Sequence, residues 1–174
     1  MFMANHPAAA NATLGDALRN QLQKLLHGGQ AHATFEDAVK NLSPKLRGTV
    51  PDNLPYSLWQ IVEHIRIAQR DILDFSTNTH GTYKPRKWPE EYWPKDPAPP
   101  SDDAWEQSIH QIREDRKTFE KLLEAADDAS LSLPFAWADE HQSLLREAFL
   151  IADHTAYHTA ELIVLRRLLG DWKT

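Results

Sequence analysis

The residues that could do chemistry in this sequence are three histidines. His154 and His158 stand four apart within Ala152-Asp153-His154-Thr155-Ala156-Tyr157-His158-Thr159-Ala160-Glu161. On a helix that spacing stacks both imidazoles on one face, able to converge on a single point, which is a metal-ligand arrangement. The same face carries Ala148, Ile151, Leu162, Leu165 and Leu169 at helical intervals, the stripe a helix turns toward a core. Core-facing imidazoles left without partners would cost roughly 1–3 kcal/mol each, and one divalent cation would satisfy both. An i,i+4 histidine pair also arises by chance in many helices, so the metal reading gains weight only from a third ligand. His64 offers it, within or at the edge of an inward stripe formed by Leu58, Ile61, Ile65, Ala68 and Ile72.

Three neutral imidazoles on two facing helices leave at least one coordination position open, the ligand plan of catalytic rather than structural zinc sites. An all-nitrogen set suits zinc, nickel, iron or copper and does not select among them; zinc or nickel is the expected occupant, with iron or copper as alternatives. Thr155, Ala156 and Tyr157 fill the space between the paired histidines, so the glutamate base of HExxH proteases is missing and a protease is not expected. What remains is a Lewis-acid metal that could lower the pKa of a bound water or thiol. Asp71, Glu147 and Glu161 recur near the ligand faces and are candidates for orienting the imidazoles from behind, although a solvated charge is the commoner fate of such residues. Imidazoles bind metal only when neutral, so affinity is expected to fall as pH drops through the histidine range.

Composition narrows the setting. At 174 residues the chain is most simply one domain, and its net charge of −6 with scattered Lys and Arg disfavours nucleic acid and anionic membrane surfaces as partners. There is no cysteine, so a metal must be held by His or carboxylate and any thiol must come from outside. Neither a signal sequence nor a long apolar span is evident, and a cytoplasmic protein is expected.

The elements that must position the histidines read as helices. A flexible segment 1–12 precedes a domain over 13–174. Thr13 to Asp16 opens a first helix with Leu14, Leu18, Leu22, Leu25 and Leu26 on one face, stopped by Gly28-Gly29. Thr34 caps a short helix, with His32 just before it as a candidate pocket residue. Ser57-Leu58-Trp59-Gln60 opens a helix to about Phe75, Ser101 begins another with Trp105, Ile109, Ile112, Phe119 and Leu123 inward, and the last runs from near Ser143 to Gly170. The link from Asp127 to His141 reads as turn-rich and admits a short hairpin. Between His80 and Asp103, Tyr83, Trp88, Tyr92 and Trp93 are interleaved with six prolines. Proline forbids a regular helix or central strand there, and the aromatics need burial, so an ordered crossover is expected, either lid or strap. The outcome is an all-α four-helix bundle with an extra short helix and a Pro/Trp-rich crossover loop.

Ser57-Leu58-Trp59-Gln60-Ile61-Val62-Glu63-His64 on one helix, Asp153-His154-Thr155-Ala156-Tyr157-His158 on the last, and the closing Leu168-Leu169-Gly170 together resemble the DinB superfamily of metal-binding four-helix bundles. The likeness runs from about Leu14 to Trp172. It implies a divalent metal on His64, His154 and His158, and a homodimer. Characterised relatives include S-transferases and an isomerase that use bacillithiol, mycothiol or glutathione, and others are described as metal-dependent hydrolases. The expectation is therefore a metal-dependent transferase acting on a small-molecule substrate with a low-molecular-weight thiol. A metal-dependent hydrolase and a non-enzymatic binding or interaction module are the alternatives. Trp88, Tyr92, Trp93 and Tyr157 are the expected pocket residues, with Tyr92 and Trp93 the contacts to an electrophile.

Overall fold

The structure is a computed structural model and describes residues 13–172. The flexible segment expected over 1–12 lies outside the described residues. Helix α1 spans Leu14–His27, α2 Phe35–Val39, α3 Leu58–Ser76, α4 Asp102–Ala125, α5 Asp128–Ser132 and α6 Leu144–Leu168. Among the described residues there is no strand, only one isolated bridge between Pro134 and Ser143. The architecture is a bundle of four long helices, α1, α3, α4 and α6, with two short ones.

The starts of these helices follow from local chemistry. Thr13, Thr34 and Ser57 each accept from the N–H three residues on, while Asp16, Asp37 and Gln60 reach back to the capping residue's own N–H. Each reciprocal pair satisfies two donors that a helix end leaves open, and losing such a cap costs ~1 kcal/mol. Helix α1 ends where Gly28 and Gly29 take φ of +79° and +78°, a region open to glycine at little cost.

Two local readings change. Helix α5 falls in the link that the sequence predicts to be turn-rich; its only buried residue is Leu131, too little apolar content to show a helical period. The hairpin in that link reduces to the Pro134–Ser143 bridge and one further bond, Phe135 N–H to Gln142 C=O. In α1 the buried face centres on Gly15, Leu22 and Leu26, which leaves Leu14 and Leu25 exposed at its edge. A side chain at Gly15 would collide with Asp128, so its absence lets α5 seat against α1.

The core has two parts. One joins Phe35, Trp59, Ile65, Trp105, Ile112 and Leu162; the other joins Leu22, Phe119, Leu123, Leu131, Ala148 and Ile151. Along α6 the segment with His154 and His158 falls between them, after Ile151 and before Leu162. Helix α3 packs on both α4 and α6, which brings His64 opposite the pair.

The crossover after α3 is ordered and runs back along that helix. Ser57 Oγ donates to Pro97 C=O, Gln60 Nε2 to Pro94 C=O at 3.1 Å, and His64 Nδ1 to Tyr92 C=O at 2.9 Å. Further along, Tyr83 N–H donates to Asn78 Oδ1 at 2.8 Å. Gly48 lies so near Ala98 that a Cβ there would approach Ala98 Cβ to 2.5 Å, and this close fit lets the end of the crossover seat against the bundle.

Candidate metal centre

His64 comes from the second turn of α3 and His154 and His158 from consecutive turns of α6, and their ligand atoms all lie within 4.8 Å of one another. His64 Nε2 and His154 Nε2 are 3.0 Å apart. Nitrogens each ~2.1 Å from one ion stand roughly 3.0–3.4 Å apart, so this separation suits convergence on a metal.

The outer hydrogen bonds fix the chemistry of two of the rings. Tyr92 C=O can only accept, so His64 carries its proton on Nδ1 and presents a lone pair at Nε2. His158 Nδ1 donates to Glu161 Oε2 at 2.6 Å, which likewise leaves its Nε2 free to coordinate. A second lone pair could not face His64 Nε2 at 3.0 Å unless a proton or a cation lay between. On donor type and spacing for all three, and on tautomer for His64 and His158, the residues fit a divalent metal. The same all-nitrogen set does not choose zinc over nickel, iron or copper.

Packing holds the rings in place. The indole of Trp93 is stacked between His64, at 3.9 Å and 5° between planes, and Tyr56, at 3.9 Å and 11°. His158 meets the edges of His64 and Tyr157 at centroid distances of 4.6 and 4.9 Å. Beside the rings opens a cleft of about 780 Å³ whose walls include Tyr56, Trp88, Trp93 and Tyr157. Trp88 and Tyr157, at 68% and 63% exposed, have most of their surface open to solvent.

Burial keeps these imidazoles neutral. His154 is pushed down to about 3, first by burial and then by His158 and His64, and His158 to about 4 by burial and His64. His64 is lowered as well, by burial. The sign follows: each fold-stabilised neutral ring resists protonation that the unfolded chain accepts near 6.5. Stability without metal is thus full above about pH 6.5 and lost progressively as pH falls toward 4 and 3. Thermal melts from pH 7 to 4 in the presence of chelator should show that decline in the wild type and a shallower one in His154→Ala; equal slopes would remove His154 from the account. The window for proton competition with a metal moves down with these values, below the ordinary histidine range the sequence suggests.

A sequence profile of the DinB superfamily matches residues 27–162, well over half of the chain and inclusive of all three histidines. The chain belongs to the DinB superfamily. Among curated proteins and among solved structures, none matches it. Among the described residues no helix is long and apolar enough to cross a membrane.

In this DinB chain the other expected site residues divide. Glu161 touches His158, and Trp88, Trp93 and Tyr157 line the cleft. Tyr92 is not a cleft wall: its hydroxyl turns to Asp71 and its backbone reaches His64. Asp71 orients no imidazole directly; it accepts from the hydroxyls of Tyr92 and Tyr83. Glu147 is also away from the rings, buried and paired with Arg146 at 2.8 Å, with its carboxyl pushed up by burial. His32 is not brought to the cluster; its Nδ1 lies 2.8 Å from Ala33 C=O, beside Thr34 and Thr155 on another face of α6. Tyr56 and Pro94 also line the cleft, and nothing in their local sequence pattern marks them as site residues.

Proposed function

We propose that this protein is a metal-dependent transferase that joins a small-molecule thiol to an apolar electrophile. The observation that carries the reading is the convergence of one ring nitrogen each from His64, His154 and His158, all within 4.8 Å of one another, beside a cleft with aromatic walls. When bound, a divalent metal held by these three residues would supply Lewis acidity that lowers the pKa of a thiol. The chain lacks cysteine, so the thiol is a diffusible cofactor. Trp88 and Tyr157 offer exposed aromatic surface against which a flat apolar electrophile can shed water. The reaction forms one carbon–sulfur bond and breaks the bond to the leaving group, and the thiol proton passes to solvent.

Hydrolysis would need a general base for water beside the histidines. Glu161, the carboxylate nearest the rings, is engaged by His158 Nδ1, which favours transfer. The test offers an aryl halide with glutathione, bacillithiol or mycothiol to zinc- or nickel-loaded protein, with His158→Ala as control. Conjugation that requires both metal and His158 is expected. Equal turnover of esters or amides without thiol would favour a hydrolase, and no turnover across a broad panel would favour a binding module.

A further inference from the structure

The carboxylate of Asp71 gathers the crossover at one point. Its Oδ2 accepts from the Tyr92 hydroxyl at 2.6 Å, its Oδ1 from the Tyr83 hydroxyl at 3.2 Å, and Arg86 Nε stands 3.7 Å away. All three partners belong to the crossover, and Asp71 lies two turns beyond His64 on α3. Tyr92 is therefore held at both ends of the residue: its side chain on Asp71, its C=O on His64 Nδ1. A metal-binding histidine usually has its outer nitrogen fixed by a carboxylate or a carbonyl. A carbonyl on a proline-rich loop is fixed only as well as the loop is, and no regular helix or strand orders residues 82–94.

We infer that Asp71 is a positioning residue for the metal centre: by clamping the Tyr92 hydroxyl it sets the Tyr92 carbonyl that holds the His64 ring in its coordinating tautomer. This inference rests on the reading of the three histidines as metal ligands. Glu161 does the same for His158 in one step, whereas for His64 the carboxylate acts through a tyrosine and its backbone. Tyr83 shares the carboxylate, but its hydrogen bonds go to Asp71 and Asn78 rather than to a histidine, and this separates positioning from general anchoring of the loop.

The experiment compares Asp71→Ala, Tyr92→Phe and Tyr83→Phe. Zinc affinity is measured by chelator competition, and the His64 imidazole is followed by nitrogen-detected NMR in chelator. Asp71→Ala and Tyr92→Phe are expected to lose roughly 10-fold in affinity, at the low end of what outer partners contribute. Both should also lose the slowly exchanging His64 Nδ1–H signal, and the double variant should be no worse than the weaker single. Tyr83→Phe should keep affinity and signal, even where its melting temperature falls. An unchanged His64 signal in Asp71→Ala and Tyr92→Phe, or an equal loss in all three variants, would overturn the inference. A wild type that binds no zinc would overturn the ligand reading instead, and the NMR comparison in chelator would still decide the clamp.

Discussion

Replacing His154 or His158 by alanine is expected to weaken metal binding by more than the roughly 10–100-fold that loss of an outer hydrogen-bond partner costs. Each substitution deletes a donor nitrogen, and two imidazoles do not make up the three-ligand plan. Glu161→Gln is the graded companion. An amide still offers an oxygen to His158 Nδ1–H, so the ring keeps its tautomer but loses the charge behind it, and a loss of roughly 10-fold is expected. Chelator competition at pH 7 checks the series. Alanine variants within about tenfold of wild type would mean that the pair on α6 is not a ligand pair.

The second large effect is on stability and leaves the metal alone. Arg166 is 5% exposed near the end of α6, and its Nη1 donates to the carbonyls of Ala38 and Lys40, both at 2.9 Å. Its Nε donates to Asp171 Oδ2 at 2.9 Å and its Nη2 to Asp171 C=O at 3.0 Å, while the guanidinium sits 5.1 Å over the Trp172 ring. One side chain thus ties α2, α6 and the segment after Gly170 together. Arg166→Leu would strand buried carbonyls and a carboxylate, and a loss of about 3 kcal/mol is expected. Arg166→Lys keeps the charge but not the planar fork, and should fall between. Urea unfolding in chelator measures both. Zinc affinity should be unchanged, since Arg166 lies two turns beyond His158; an Arg166→Leu protein as stable as wild type would contradict the clasp.

Where a feature depends on near neighbours in the chain, the residues announce it. The capping pairs Thr13/Asp16, Thr34/Asp37 and Ser57/Gln60 are three-residue patterns whose partners are fixed by helix geometry, and they formed as the sequence predicts. The stripes of α3 and α4 have the same local origin, and so does the convergence of His154 with His158. Bringing His64 to that pair needed only that two apolar stripes face each other. Features that depend on backbone atoms are not encoded by residue type. The acceptor for His64 is the carbonyl of Tyr92, an atom every residue carries, so residue types do not reveal the ring's orientation and point instead to a carboxylate. Asp71 lies on the same helix as His64, near its ligand face, but its side chain points to tyrosines of the crossover rather than to a ring. Glu147 has helical spacing to His154 as well, yet it pairs with its neighbour Arg146. Helical period narrows where a side chain can point and does not name what it meets.

The central claim is that His64, His154 and His158 hold one divalent metal. Elemental analysis of protein purified without a nickel column, and supplied with zinc before exhaustive dialysis, tests it most directly. The account predicts about one ion per chain in the wild type and a ratio near zero in His154→Ala and His158→Ala. A wild type without metal, or alanine variants with undiminished metal, would contradict it.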